Sequence, residues 1–207
     1  MVKTKIKDPE LIQKRQRQIC AGAMKVFKNK GFHATSIREI AKASRISLGS
    51  LYDYIEKKED ILFLVHKQIL DEIYDVLDET IKQWDDPVDQ LVHAARQLFG
   101  TTMRLQDEVL FIYTETKSLE KDYLHEILQR EAEFVGRFQR LIEDGVQKGA
   151  FHCPQPAICA NTIAYLLAIV ALRGWNILPY HGEQELLDHL LRVILKSVGV
   201  DPAKAGI

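Results

Sequence analysis

Residues 31–62 read GFHATSIREIAKASRISLGSLYDYIEKKEDIL, and small hydroxyls, tyrosines, a glycine and cations recur there at helical spacing. Ser47 and Ser50 flank Leu48 and Gly49, and Tyr52 and Tyr54 follow. Serine hydroxyls donate to base edges or phosphate oxygens, and a leucine can meet a thymine methyl. Gly49 would let a helix approach the floor of a major groove, where a larger side chain would hold it off. Tyr52 and Tyr54 can reach phosphate oxygens, contacts that position a helix without reading sequence. Thr35, Ser36 and Lys58 fall at helix starts, where free amides and the dipole favour an anion, and Arg45 adds a cation in the intervening turn. Each of these residues also has an ordinary structural use: Ser47 as a helix cap, Gly49 in packing, the tyrosines in a core. Their combination points to duplex DNA as the partner.

The charge distribution agrees. Residues 1–60 carry 14 basic and 7 acidic side chains, whereas residues 61–207 carry 14 basic and 22 acidic ones, and a net charge of −1 conceals the contrast. A basic head on an acidic body attracts a polyanion at one end and discourages wrapping at the other.

Short helices are needed to hold such a set. Ile12, Ile19, Ala23, Val26 and Phe27 share one face of a first helix that Gly31 ends. Ser36 and Glu39 have the spacing of a capping box for a second helix over about 37–43. Ser47 can cap a third over about 48–54. Ile37, Ile40, Ala41, Ile46, Leu51 and Ile55 then make the small core that fixes the angle between the second and third, as a helix-turn-helix requires. Beyond Lys58 the period lengthens into long amphipathic helices: one over about 58–83, one opened by Pro87 with Leu91, Ala94, Ala95, Leu98 and Phe99 as its inner face, and two over about 108–118 and 121–147, followed by a strongly apolar helix over about 157–178 and a last one over about 183–198. No run alternates as a strand would. The fold class is all-α: an N-terminal three-helix helix-turn-helix head over residues 1–57, then a larger helical-bundle domain over 58–207.

The match of Ile19-Cys20-Ala21-Gly22-Ala23, Phe27, Gly31-Phe32, Thr35-Ser36-Ile37, Ile40-Ala41, Ser47-Leu48-Gly49-Ser50-Leu51-Tyr52, Tyr54 and Lys58-Glu59 covers about a quarter of the chain and resembles the tetracycline-repressor-like (TetR) regulators. Two positions depart from that pattern: Arg45 stands where the family usually has a turn glycine, and Ile55 where it usually has phenylalanine. The resemblance implies a repressor that binds a palindromic operator as a homodimer, and a C-terminal domain for ligand binding and dimerisation.

The apolar character of the last two helices agrees with a twofold partner, with Leu166, Leu186, Leu187, Leu190, Leu191 and Ile194 expected at the dimer interface. Phe99, Met103, Phe111, Tyr113, Phe138, Tyr165, Arg173 and Trp175 are the candidate lining of an effector site between helices. Apolar walls with an arginine suit a fatty acyl or aromatic acid, or its coenzyme A thioester. Such a ligand pressing on the helix over 58–83 would change the separation of two heads that must enter major grooves about 34 Å apart. An effector-independent regulator of the same build is the alternative.

An enzyme is a weaker reading, because no Gly-rich phosphate loop, GxSxG or HExxH is present. His152, Cys153 and Cys159 lack a fourth ligand, so neither metal nor cofactor is expected. The start MVKTKIKDPE has no apolar signal core, and the cysteines form no CxxC pair. These features point to a cytoplasmic protein with reduced thiols and no membrane partner.

Overall fold

The computed structural model describes residues 2–207, which form ten α-helices and no strand. The helices are α1 (Pro9–Lys30), α2 (Ile37–Ala43), α3 (Leu48–Leu51), α4 (Lys58–Ile81), α5 (Pro87–Arg104), α6 (Gln106–Glu115), α7 (Lys121–Gln147), α8 (Pro156–Leu167), α9 (Ile169–Ile177) and α10 (Glu183–Ser197). Short 3₁₀ turns follow α6 and α10.

Local chemistry explains most of the boundaries. The Asp8 carboxylate accepts from the Glu10 and Leu11 amides ahead of Pro9, so α1 starts there. Gly31 ends it at φ 74°. The capping box at α2 is complete: the Glu39 amide donates to the Ser36 hydroxyl oxygen, and the Glu39 carboxylate accepts from the Ser36 amide at 2.9 Å. Asp86 caps α5, which Pro87 opens.

Two expectations change. The third helix closes at Leu51 and does not reach Tyr54, because the Asp53 and Tyr54 amides donate three residues back, to Ser50 and Leu51, and tighten the chain into a turn. The apolar segment over 157–178 is two helices, with α9 bent by 48° from α8 around Ala168. Its amide likewise turns back three residues, to the Tyr165 carbonyl. Among the described residues no single helix is long and apolar enough to cross a membrane.

The described chain divides into two compact units. The first runs through Asp71 and includes Phe111–Leu128; the second comprises Glu72–Leu110 and Gln129–Ile207. Ile19, Phe27, Ile40, Leu51, Ile55, Ile61, Leu62 and Phe63 fill the first unit's interior, where Phe111 stacks on Phe27 with ring centroids 5.1 Å apart. The second unit's core joins α5, α7, α8 and α10 through Leu91, Leu98, Phe138, Ile163, Leu191 and Leu195.

Candidate nucleic-acid interface

The angle between α1 and the α2–α3 pair is set by contacts so short that only certain residues fit. Gly22 faces Ser44: a Cβ there would lie 2.1 Å from the Ser44 hydroxyl oxygen and 2.6 Å from its amide nitrogen. The Gln18 side-chain amide donates to the Ser44 carbonyl at 2.7 Å, which ties the end of α2 to α1. The next residue, Arg45, takes φ 56° and is the sole non-glycine residue at positive φ among those described. The turn therefore has the left-handed conformation that glycine would supply without strain, and Arg45 supplies a cation there instead.

The turn delivers α3 with its polar side outward. The Ser47 hydroxyl oxygen accepts from the Ser50 amide at 3.1 Å, which caps the helix while leaving its proton available. Ser47 and Gly49 are exposed, and Leu48 and Ser50 are half-buried. Leu51 beneath them is fully buried and anchors the helix. Tyr52 is 38% exposed. Arg45, Ser36, Arg38 and Lys42 are also exposed, and the last two were not anticipated as contacts although both are cations of the short α2.

Three expected contacts are placed elsewhere. Tyr54 is only 4% exposed, so its ring packs the head. Thr35 is buried and donates its hydroxyl to the Gly31 carbonyl at 2.7 Å. The Lys58 ammonium donates to the carbonyls of Phe32, His33 and Thr35 at 3.0, 3.2 and 3.0 Å, and lies 4.4 Å from the centre of the Phe32 ring. Lys58 thus clamps the loop between α1 and α2, and its protons are committed to that loop. Sequence spacing identified these three as polar or aromatic at helix ends but could not tell an outward end from one folded inward.

The N-terminal arm was also missed. The Lys5 amide and the Thr4 hydroxyl both donate to the Asp53 carbonyl, at 2.9 and 3.0 Å, so the arm is pinned beside the turn that follows α3. Lys3 and Lys5 lie 3.9 Å from Glu56 and Asp53 with ammonium groups largely in solvent. The arm therefore adds positive potential next to the helix. The Asp60 carboxylate, buried at the start of α4, accepts from the Glu56 and Lys57 amides and from the Tyr123 hydroxyl at 2.7 Å. Burial, then that bond to Asp60, pushes the Tyr123 phenol above its usual range, so it stays a donor.

The expected effector residues do not share one site. Phe111 is in the first unit's core, and Phe138 is fully buried in the second's. Tyr113, Tyr165, Arg173 and Trp175 are exposed, Trp175 at 72%. Only Phe99 and Met103 meet, in a cavity of about 520 Å³ that Arg96, Gly100, Arg104, Gln106, Glu183, Gln184 and Leu187 complete. Arg104 is held by Glu72 of α4 at 2.7 Å, and half-buried Arg96 faces the cavity. The expected interface leucines also divide. Leu186, Leu190, Leu191 and Ile194 are buried within the chain, while Leu166 and Leu187 are half-buried. A second cavity, of about 490 Å³, runs between α8–α9 and α10 along Leu166, Ile169, Leu186, Leu190 and Val193.

A short, outward, glycine-bearing helix held by a tight turn against two others is the arrangement of a helix-turn-helix DNA-binding protein. Residues 19–65 match the bacterial regulatory proteins of the tetR family, and residues 84–172 match the tetracyclin repressor-like C-terminal domain. The chain belongs to the TetR family of helix-turn-helix transcriptional regulators and is not an enzyme.

Relatives agree. The HTH-type transcriptional regulator HbdR of Aromatoleum sp. (strain CIB) is 29% identical over 200 residues, covering 94% of this chain and 85% of that one. The uncharacterized HTH-type regulator YfiR of Bacillus subtilis is 31% identical over 150 residues, covering 69% and 71%. A tetR-family regulatory protein from Rhodococcus RHA1 has the same fold with a TM-score of 0.80 at 23% identity, covering 91% and 98%. AibR, solved in complex with isovaleryl coenzyme A and operator DNA, matches with a TM-score of 0.73 at 22% identity, covering 86% and 97%.

Proposed function

We propose that this protein is a cytoplasmic, homodimeric repressor that grips a palindromic operator with two copies of α3 and is released by an amphipathic acid or its coenzyme A thioester. The observation that carries the DNA-binding half is the exposure of Arg45, Ser47, Gly49 and Tyr52, with Leu48 and Ser50 half-buried between them and Ser36 exposed at the start of α2. Residues 1–57 would act as the DNA-binding domain and 58–207 as the ligand-binding and dimerisation domain. The groove along Leu166 and Val193, with exposed Ile158 and Tyr165 on α8, favours a second copy as the partner of the body.

The effector reading rests on the cavity at Phe99. Its volume is within the roughly 300–1,000 Å³ of small-molecule sites, and it sets apolar walls beside two guanidiniums, Arg96 and Arg104. Glu183 also lines it, so the anionic end of a ligand belongs on the arginine side. An anion that drew Arg104 from Glu72 would free a side chain of α4, giving the ligand a differential contact with two states of that helix. The isovaleryl coenzyme A bound by AibR supports an acyl thioester as the class to try first.

Selection of bound duplexes from a random pool tests the first half, and a twofold-symmetric consensus is expected. Thermal shift with short-chain acyl thioesters and aromatic acids tests the second. A rise in melting temperature that Arg96→Ala removes supports the cavity. No shift from any ligand of these classes, with operator binding intact, favours the effector-independent regulator.

A further inference from the structure

Cys153 lies three residues before α8, and Cys159 lies in its second turn. Their sulfurs are 2.9 Å apart, and the Cys159 sulfur is also 3.4 Å from the Ser197 carbonyl. Cys153 is buried and Cys159 half-buried, so Cys159 is the more accessible residue of the pair. The approach to α8 is held in place from outside the pair, since the His152 amide donates to the Val198 carbonyl at 2.8 Å.

The separation discriminates between the two chemistries open to a pair of thiols. Two thiolates on one tetrahedral metal, each about 2.3 Å from it, stand about 3.8 Å apart. A disulfide needs about 2.05 Å. A pair already at 2.9 Å must open to admit a metal, and a closure of less than about 1 Å brings it to bonding distance. Among the described residues no group of three His, Cys, Asp or Glu side chains could hold a metal ion.

We propose that Cys153 and Cys159 are a modification site: a dithiol that hydrogen peroxide converts to an intramolecular disulfide across the entry to α8. The Cys159 thiolate attacks a peroxide oxygen and the O–O bond breaks, which leaves a sulfenic acid and one water. The Cys153 sulfur then attacks the Cys159 sulfur, the S–O bond breaks, and a second water leaves as the S–S bond forms. The pair gives up two electrons and two protons, and the peroxide takes both. A small dithiol reverses the reaction by exchange at the sulfur of the more accessible Cys159. Burial, then the hydrogen bond with Cys153, pushes the Cys159 thiol up to about 11, so oxidation accelerates as pH rises. Cys20, fully enclosed and with its thiol pushed up to about 12 by burial, is the spectator.

The test is hydrogen peroxide on the full chain, followed by thiol titration in denaturant and peptide mass mapping. The expected result is a fall from three thiols to one per chain. The peptides bearing Cys153 and Cys159 should be joined with the loss of two hydrogen masses, and dithiothreitol should restore all three thiols. In Cys153→Ser, a dione trap should mark a sulfenic acid at Cys159 and no intramolecular link should form. Three surviving thiols, sulfinic acids without an S–S bond, links between chains, or a pair that binds cadmium yet ignores peroxide would each overturn the proposal.

Discussion

Gly22 and Ser44 touch so closely that the head has no room for even a methyl group at residue 22, the nearest Ser44 atom being 2.1 Å from the position of such a carbon. This contact fixes where α2 ends relative to α1, and hence how Arg45 turns the chain into α3. Gly22→Ala must push the two helices apart or break the bond from Gln18 to the Ser44 carbonyl. Overpacking of this kind costs about 1–3 kcal/mol, and operator affinity should fall further than stability because α3 is re-aimed. Gly136→Ala in α7 is the control. There an added carbon meets only the far end of Arg140, at 3.4 Å, and the helix should gain about 0.5–1 kcal/mol. Equal unfolding midpoints for the two variants would refute the close-contact argument.

Arg45 combines a conformational cost with a charge. Arg45→Gly should stabilise the fold by about 1 kcal/mol, because glycine takes φ 56° without strain. It should also weaken binding to all duplexes and lower the slope of log affinity against log salt by about 1, since one phosphate contact is lost. A stability gain with an unchanged salt slope would mean that Arg45 is far from the backbone of the DNA.

These two residues also show what periodicity can and cannot convey. The capping box of Ser36 and Glu39 involves neighbours in sequence, so spacing alone located α2 and its outward serine. Arg45 at a position that favours glycine announced its own strain. The Gly22 contact joins residues 22 apart, and nothing in either helix alone reports it. A four-residue helix such as α3 spans scarcely more than one turn, so it has no period to say that Tyr52 faces out and Tyr54 in. For α10 the apolar pattern was real, but a sequence cannot distinguish leucines that bury against their own chain, as Leu190 and Leu191 do, from leucines that await a partner.

The tyrosines should therefore separate in a binding assay. Tyr52→Phe removes an exposed hydroxyl and should weaken binding to every sequence by a similar factor, because phosphate contacts carry no base information. Ser50→Ala should instead change which base is preferred at one operator position, by about 1–3 kcal/mol of discrimination. Tyr54→Phe, in a buried ring, should leave relative affinities for different duplexes unchanged. Competition among a panel of single-base operator variants distinguishes the three, and a base-specific defect in Tyr52→Phe would contradict the assignment.

His66 is buried in α4, where its Nδ1 lies 2.9 Å from the Leu62 carbonyl. Burial, partly offset by that bond, holds the ring below its usual 6.5. The folded state then binds a proton less readily than the unfolded chain. The ring's contribution is complete above pH 6.5 and is lost as pH falls below it, at no more than about 1.4 kcal/mol per pH unit for one proton. Glu39 acts in a different window. Lys30, and then Ser36, hold its carboxyl at about 2, so its stabilisation is lost only between its ordinary 4.5 and that value. Urea titrations at pH 7.5, 6 and 5 should show stability declining with acidity, and His66→Gln should flatten the decline. An unchanged slope in the variant would assign it to other groups.

Substitutions on α8 and α10 test which apolar surface belongs to a partner. Ile158 and Tyr165 are 61% and 59% exposed and lie two turns apart on α8, with half-buried Leu166 and Val193 along the adjoining groove. Tyr165→Asp puts a charge where a second copy would desolvate it, at a position that costs the lone chain nothing. The expected result is a monomer by sedimentation, with unchanged helicity and greatly reduced operator affinity, since both half-sites must be engaged together. Leu190→Asp places the same charge in the second unit's core, beside Leu191 and Ile194, and should unfold the protein outright. If Tyr165→Asp remains dimeric while a charge at half-buried Leu187 dissociates the pair, the partner surface lies along α10 and away from α8.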